Sequence, residues 1–365
     1  MRRFNLSVLL SVGFLLGSQC ALATTLIVGT CRKGTQFSTI SAAVAAAPTG
    51  ATVLVCPGTY PEQVIISTPL NLTGITNGQL DRVIIASPAG GVGTSFTSPI
   101  DGAVVAAQVL VTTGPVNITN VTVDGTGNGV SSSWIAGIAY ESGASGTVNG
   151  VTAREQTGGN FGGVGFWAEN ANSTSETVTI ENSQVRDASN TGILVRSGIN
   201  PPTLLAKVVG NQMVVGNLTS GMFFGIRGNP AGSIMGNVII DCTQIGIEMD
   251  GFATASVVGN AISARLGDNF LTGIQVGGTG EIVKSNTILG TRNGIDASSA
   301  SGAMKLEANT ITDANNIGIA MACQTGFTIS GNIMNDVFTG LNSVPLGVAV
   351  LGTYHNVTLL ATGGC

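Results

Sequence analysis

The chain has 365 residues, of which 43% are hydrophobic, 9% charged and 5% aromatic. That is enough apolar material for a large core, too little charge for a disordered segment, and no basic patch for nucleic acid. Lys and Arg number 14 against 19 Asp and Glu, an acidic balance that disfavours polyanions, and the shortage of Lys, Glu and Arg leaves few residues for exposed helix faces.

Arg2 and Arg3, the apolar run Leu6–Gly17 and the small residues Ala21–Ala23 form a secretory-signal pattern over 1–23, with cleavage expected before Thr24. The run is too short to span a bilayer, so a secreted or periplasmic protein without integral membrane association is expected. Cleavage removes two Arg and leaves 12 basic against 19 acidic residues, a balance of −7. Residues 24–365 are expected to form one domain. An exported chain keeps disulfides. Cys31 and Cys56 each end an apolar run and are expected to staple the N-terminal end; Cys365 is expected to pin the tail to Cys323, leaving Cys242 buried.

The stretch 37–48 places Ile40, Ala43, Val44 and Ala47 at helical spacing, with Ser38 or Thr39 able to cap the start and Pro48 and Gly50 to end it. A short amphipathic helix is expected there, as a cap on the open end of a repeat array. From about 50 to 345 the chain repeats. Aligning "SIMGNVIIDCTQIGIEM" (233–249), "KLEANTITDANNIGIAM" (305–321) and "TIENSQVRDASNTGILV" (179–195) anchors repeats at Ile118, Val148, Ile180, Val208, Ile234, Val257, Val283, Leu306 and Ile329. The steps run from 32 down to 23 residues. Three short strands and three turns fill such a step, the coil of a parallel β-solenoid. Asn211, Asn237, Asn260, Asn286, Asn309 and Asn332 share one register position; stacked about 4.8 Å apart, they predict an Asn ladder. A second polar column, Glu155, Asp187, Asp241, Asp313 and Asp336, reads as turn residues at strand ends. Residues 346–365 are expected to close the C-terminal end.

With its 37–66 opening and its repeats, the chain resembles secreted right-handed parallel β-helix proteins of the pectin-lyase-like superfamily, including NosD-type repeat proteins. The resemblance implies an all-β, single-stranded right-handed β-helix. The catalytic motifs of the relatives are absent. There is no Gln-Asp-Thr-Leu of the methylesterases, and Gly192 stands where polygalacturonases carry an Asp. The Gly-His-Gly, Asp-Pro-His-Asp and Arg-x-Pro-x-x-Arg segments are missing too. The one histidine, His355, lies near the C-terminus, which removes histidine triads from the body of the solenoid and disfavours transition metals. No metal, no cofactor and a monomer are expected.

A Gly-Ile column runs from Gly137-Ile138 to Gly318-Ile319. Alternation after each pair sends Trp167, Glu169, Leu194, Arg196, Arg227, Asn229, Glu248, Asp250, Gln275 and Asp296 outward on consecutive coils. Three readings of this face stay open: solvated side chains, sugar binding without catalysis, and catalysis. For catalysis the candidates are Glu248, Asp250 and Asp296 as acid and base, with Arg227 stabilising a carboxylate or developing charge. For binding they are Trp134, Tyr140, Trp167, Glu169, Arg196 and Gln275, since aromatic area with a few placed polar groups holds sugars. Polysaccharide is the expected partner, and a rigid extracellular scaffold the other reading of the chain.

Overall fold

The computed structural model describes residues 24–34, 36–79, 81–128, 134–158, 161–214, 224–264, 271–323, 326–345 and 348–364; the signal pattern of 1–23 lies outside them. Short strands turn three times per coil and stack in register, giving three ladders of parallel strands along one axis. The first face runs from Thr25–Val28 through Ala51–Val55 and Leu70–Gly74 to Val350–His355. The second runs from Gly58–Pro61 through Val83–Ala86 and Thr122–Asp124 to Thr310–Thr312 and beyond. The third carries the Gly-Ile pairs, from Val64–Ile66 to Leu359–Gly364. The ladders thus begin before residue 50, at Thr25, and continue past 345 to the last described coil.

The expected helix is present but shorter: helix α1 spans Ile40–Ala46, and Thr39 Oγ1 accepts from Ala42 N at 3.2 Å. Ile40, Ala43 and Val44 are buried. Phe37 instead belongs to a two-residue strand paired with Val28. Cys31 and Cys56 form a disulfide with Cα atoms 5.6 Å apart. Cys323 is also disulfide-bonded, while its expected partner Cys365 lies outside the described residues. Cys242 is buried.

Between the first and second faces each coil turns through one left-handed residue and then the ladder position. Gly210, Gly236 and Gly259 take φ of 62–65° there, and Ser285 and Ala308 take 55° and 53°. The next residue is the predicted Asn. Each ladder Asn is buried, and from Asn237 to Asn309 its hydrogen bonds are complete. Along the column from Asn211 to Asn332, each Nδ2 donates to the Oδ1 of the next Asn at 2.9–3.0 Å. Each also donates to a carbonyl of the preceding coil at 2.8–3.0 Å. Each Oδ1 from Asn237 onward accepts a second bond, from a backbone N–H. Ser183 heads the column, its N–H donating to Asn211 Oδ1 at 3.0 Å. Ala308 holds its left-handed turn without glycine's freedom. Ala308→Gly is therefore expected to stabilise the chain by about 0.5–1 kcal/mol, read as a higher urea midpoint.

The second column, Glu155, Asp187, Asp241, Asp313 and Asp336, occupies the next turn, also left-handed with φ of 53–60°. Short polar side chains tolerate this region best. Among the described residues no three His, Cys, Asp or Glu converge as metal ligands, and no helix is long and apolar enough to cross a membrane.

The Gly-Ile column has a packing cause. The glycine faces inward, into the corner filled by a second-face side chain. A methyl on Gly273 would stand 2.5 Å from Ile288 Cγ2 and 2.7 Å from Gly294 O; one on Gly246 would meet Ile262 Cγ2 and Gly273 O at 2.6 Å. Space, not backbone dihedral, demands glycine. Gly273→Ala is expected to cost about 2–3 kcal/mol by overpacking, measured by chemical denaturation; a loss below about 0.5 kcal/mol would show that the corner yields.

Candidate functional site

Register places the outward residues as the alternation requires. Trp167 pairs with Leu194, Leu194 with Arg227, Arg227 with Glu248, Glu248 with Gln275 and Gln275 with Asp296. One step along the strands, Glu169 pairs with Arg196; Asn229 N donates to Val195 O and Asp250 N to Gly228 O.

This face is not bare. The segment 87–103 leaves the solenoid and crosses its outer surface as a strap. Phe96–Thr97 pairs antiparallel with Val104–Val105. Phe96 meets Trp167 edge-on at 6.3 Å, and Trp167 meets Trp134 at 6.0 Å. Val105, Ala107, Leu110, Ala136, Ala139, Val164, Trp167 and Leu194 form a second apolar cluster outside the main core, with Phe96 and Trp134 packed against it. Polar contacts pin the strap. Ser98 Oγ donates to Glu169 Oε2 at 2.8 Å, and Arg196 Nη2 reaches Asp101 Oδ2 at 2.6 Å. Arg196 also lies over the Trp167 ring, 5.5 Å from its centroid.

These contacts correct three of the expected binding residues. Trp167 faces outward but is 1% exposed beneath Phe96, Trp134 and Arg196, so it backs the pocket and offers no open ring face. Tyr140 points into the main core, 1% exposed, and its hydroxyl donates to Val116 O at 2.8 Å; alternation from Ile138 sends it inward. Phe166 is likewise core. Glu169 does face outward but is sealed under the strap, 1% exposed, and accepts from Trp167 Nε1 at 3.1 Å. Burial raises its pKa against the opposing pull of Ser98, Trp167 and Arg196. Glu169 holds the strap and is closed to ligand.

Trp134, Trp167, Leu194, Arg196, Arg227 and Asp250 together line one pocket of about 300 Å³, with Ile100 and Asp101 of the strap as its upper wall. Phe161, exposed, stacks on Trp134 at 6.3 Å. Glu248 stands beside the pocket, its Oε2 2.7 Å from Arg227 Nε. Burial, joined by the negative charge of Asp250, raises the Glu248 pKa, and Arg227 opposes the shift. Burial also acts on Asp101, but Arg196, the Ala103 N–H and Ser98 hold its carboxyl below the usual range. Gln275 and Asp296 sit further along the column, outside the pocket lining. Asp296 Oδ1 accepts from Ser298 Oγ at 2.6 Å and Ser298 N at 3.0 Å. With Gln275 between them, Glu248 and Asp296 are two strand spacings apart, roughly 9.6 Å, too far for a retaining acid pair.

Phe96, Ser98 and Asp101 are site residues that pattern reasoning misses. Their one sequence signal is coil length: Asn71 and Asn117 are register partners 46 residues apart, against steps of 23 to 32 later.

No family model matches the chain, and no curated protein matches it. Among solved structures, the chain is similar to a GH136 lacto-N-biosidase from Eubacterium ramulus, with 10% identity over 93% of this chain and 68% of that one, at a TM-score of 0.58. It is also similar to the Dettilon tailspike protein, with 16% identity, 87% and 64% covered and a TM-score of 0.53. A GH87 alpha-1,3-glucanase from Streptomyces thermodiastaticus gives 16% identity, 89% and 64% covered and a TM-score of 0.52. The chain spans about two thirds of the length of each. At such identities the likeness is one of fold, and with the three stacked ladders it makes this chain a right-handed parallel β-helix.

Proposed function

We propose that this is a secreted, single-domain β-helix that binds polysaccharide in the pocket under the strap, with α1 closing its N-terminal end. The observation that carries the reading is the pocket itself: Trp134, with Phe161 stacked on it, lines one cavity together with Arg196, Arg227 and Asp250. Stacked rings next to a few placed polar groups hold sugar faces. The carbohydrate-acting names of two of the similar structures agree with this reading.

Binding is favoured over catalysis because the candidate acids are already engaged. Glu248 is ion-paired with Arg227, Asp296 is bonded to Ser298, and Glu169 is sealed. Acid–base work on a glycosidic bond needs two available carboxyls; of the two exposed carboxyls lining the pocket, Asp101 is paired with Arg196 and Asp250 alone is left without an ion-pair partner among the described residues.

The test is retention of the chain from Thr24 onward on a panel of neutral and charged polysaccharides, beside Trp134→Ala. The variant is expected to lose at least tenfold in affinity with an unchanged far-ultraviolet spectrum, and no reducing ends should appear. Absence of retention across the panel would overturn the reading.

A further inference from the structure

We infer that the pocket selects a glycan bearing protonated amines, such as a glucosamine polymer, over an acidic one. This rests on the proposed binding reading and names its substrate class. The two arginines at first suggest a uronate, but their charges are spent inside the protein. Arg196 is held by Asp101 at 2.6 Å and by the Trp167 face. Arg227 gives its Nε to Glu248 at 2.7 Å. Each cation thus has an acid of its own, and one acid in the lining is left over. The Asp250 carboxylate makes no hydrogen bond or ion pair among the described residues, and it is exposed at the pocket wall. Its charge is felt by its neighbour, since it helps raise the pKa of Glu248. The residual field of the pocket is therefore negative, as is the balance of the whole chain.

The rings point the same way. Trp134, with Phe161 stacked on it, lines the same pocket four strand spacings, roughly 19 Å, from the coil that carries this carboxylate. An amino-sugar chain running along the coils can lay one ring on the indole while the ammonium of a later unit makes a charge-assisted hydrogen bond to Asp250. A ligand carboxylate entering the same space would meet Asp250, and at either guanidinium it would compete with the acid already paired there.

The test is calorimetric titration with glucosamine hexasaccharide, its fully N-acetylated counterpart and hexagalacturonate, at low salt and at about 0.5 M salt. The free-amine hexamer is expected to bind at least tenfold tighter than the acetylated one, with the advantage shrinking in high salt. Asp250→Asn is expected to weaken the free-amine ligand by roughly 3- to 10-fold and leave the acetylated ligand within about twofold. Tighter binding of hexagalacturonate, or an Asp250→Asn loss equal for both amino-sugar ligands, would overturn the inference while leaving polysaccharide binding intact. Failure of all three to bind, with neutral polymers retained by a Trp134-dependent site, would also overturn it. Failure of every glycan would remove the binding reading itself.

Discussion

Asn260→Ala is expected to lower stability by about 3–5 kcal/mol. The side chain sits in the middle of a column in which each amide is used to capacity. Its Nδ2 donates to Asn286 Oδ1 and to Ile234 O, and its Oδ1 accepts from Asn237 N and Asn237 Nδ2. Alanine removes all four bonds and admits no replacement from solvent, because the position is 1% exposed. The Asn237 N–H, one hydrogen of its amide and the Ile234 carbonyl each lose a buried partner. Each such orphan costs about 1–3 kcal/mol, and in a low-dielectric column the bonds reinforce one another. Asn316 is the control: its amide also bonds a neighbour, Asn293, at 2.9 Å, but at a half-buried edge. Asn316→Ala should cost under about 1 kcal/mol. Urea denaturation of both variants decides the matter; equal losses would mean that burial of the ladder adds nothing.

Glu281→Gln is expected to stabilise the chain at pH 8 and to change little at pH 4.5. Glu281 occupies an inward position of the first face, in register between Ala255 and Met304. It is 1% exposed, and neither carboxyl oxygen has a partner within hydrogen-bonding geometry among the described residues. Burial pushes its pKa from 4.5 up to about 8, with the Gly278 backbone amide acting the other way. The folded protein therefore holds the proton that the unfolded chain releases near pH 4.5. With the folded pKa raised, the protonated form supports the fold fully below pH 4.5, and that support is lost as pH rises through 8. At about 1.4 kcal/mol per pH unit the loss across this window is on the order of 5 kcal/mol. Glutamine does not titrate, so its denaturation midpoint should stay flat where the parent's falls. Parallel pH profiles would show that Glu281 is charged, and compensated, in the fold.

Parts of this molecule are readable from sequence because a solenoid gives equivalent positions equivalent neighbours. The Asn column recurs at one register position since each copy meets the same three groups. The Gly-Ile column recurs for the same reason, although its cause is a crowded corner rather than a ligand. The Arg227–Glu248 contact comes from register alone. What breaks the repeat is opaque. Glu169 and Trp167 face outward as alternation demands, yet a strap from a coil two turns earlier buries them, and no local pattern announces that. Tyr140 is a different case: its aromatic ring suggests a sugar contact, but its parity already places it inside with Ile138. Glu281 looks like an ordinary surface acid until its register with Ala255 and Met304 is known.

The bonds of the Asn ladder all run in the same sense, and every inner rung is chemically identical. Omitting one coil, or copying one, would leave the remaining rungs satisfied and merely shorten or lengthen the rod by one strand spacing, about 4.8 Å. The molecule is in that respect a ruler whose length can change by duplication or loss of whole units without redesign of its interior. The irregular strap coil, which has no copy, marks the point along the ruler where the pocket is built.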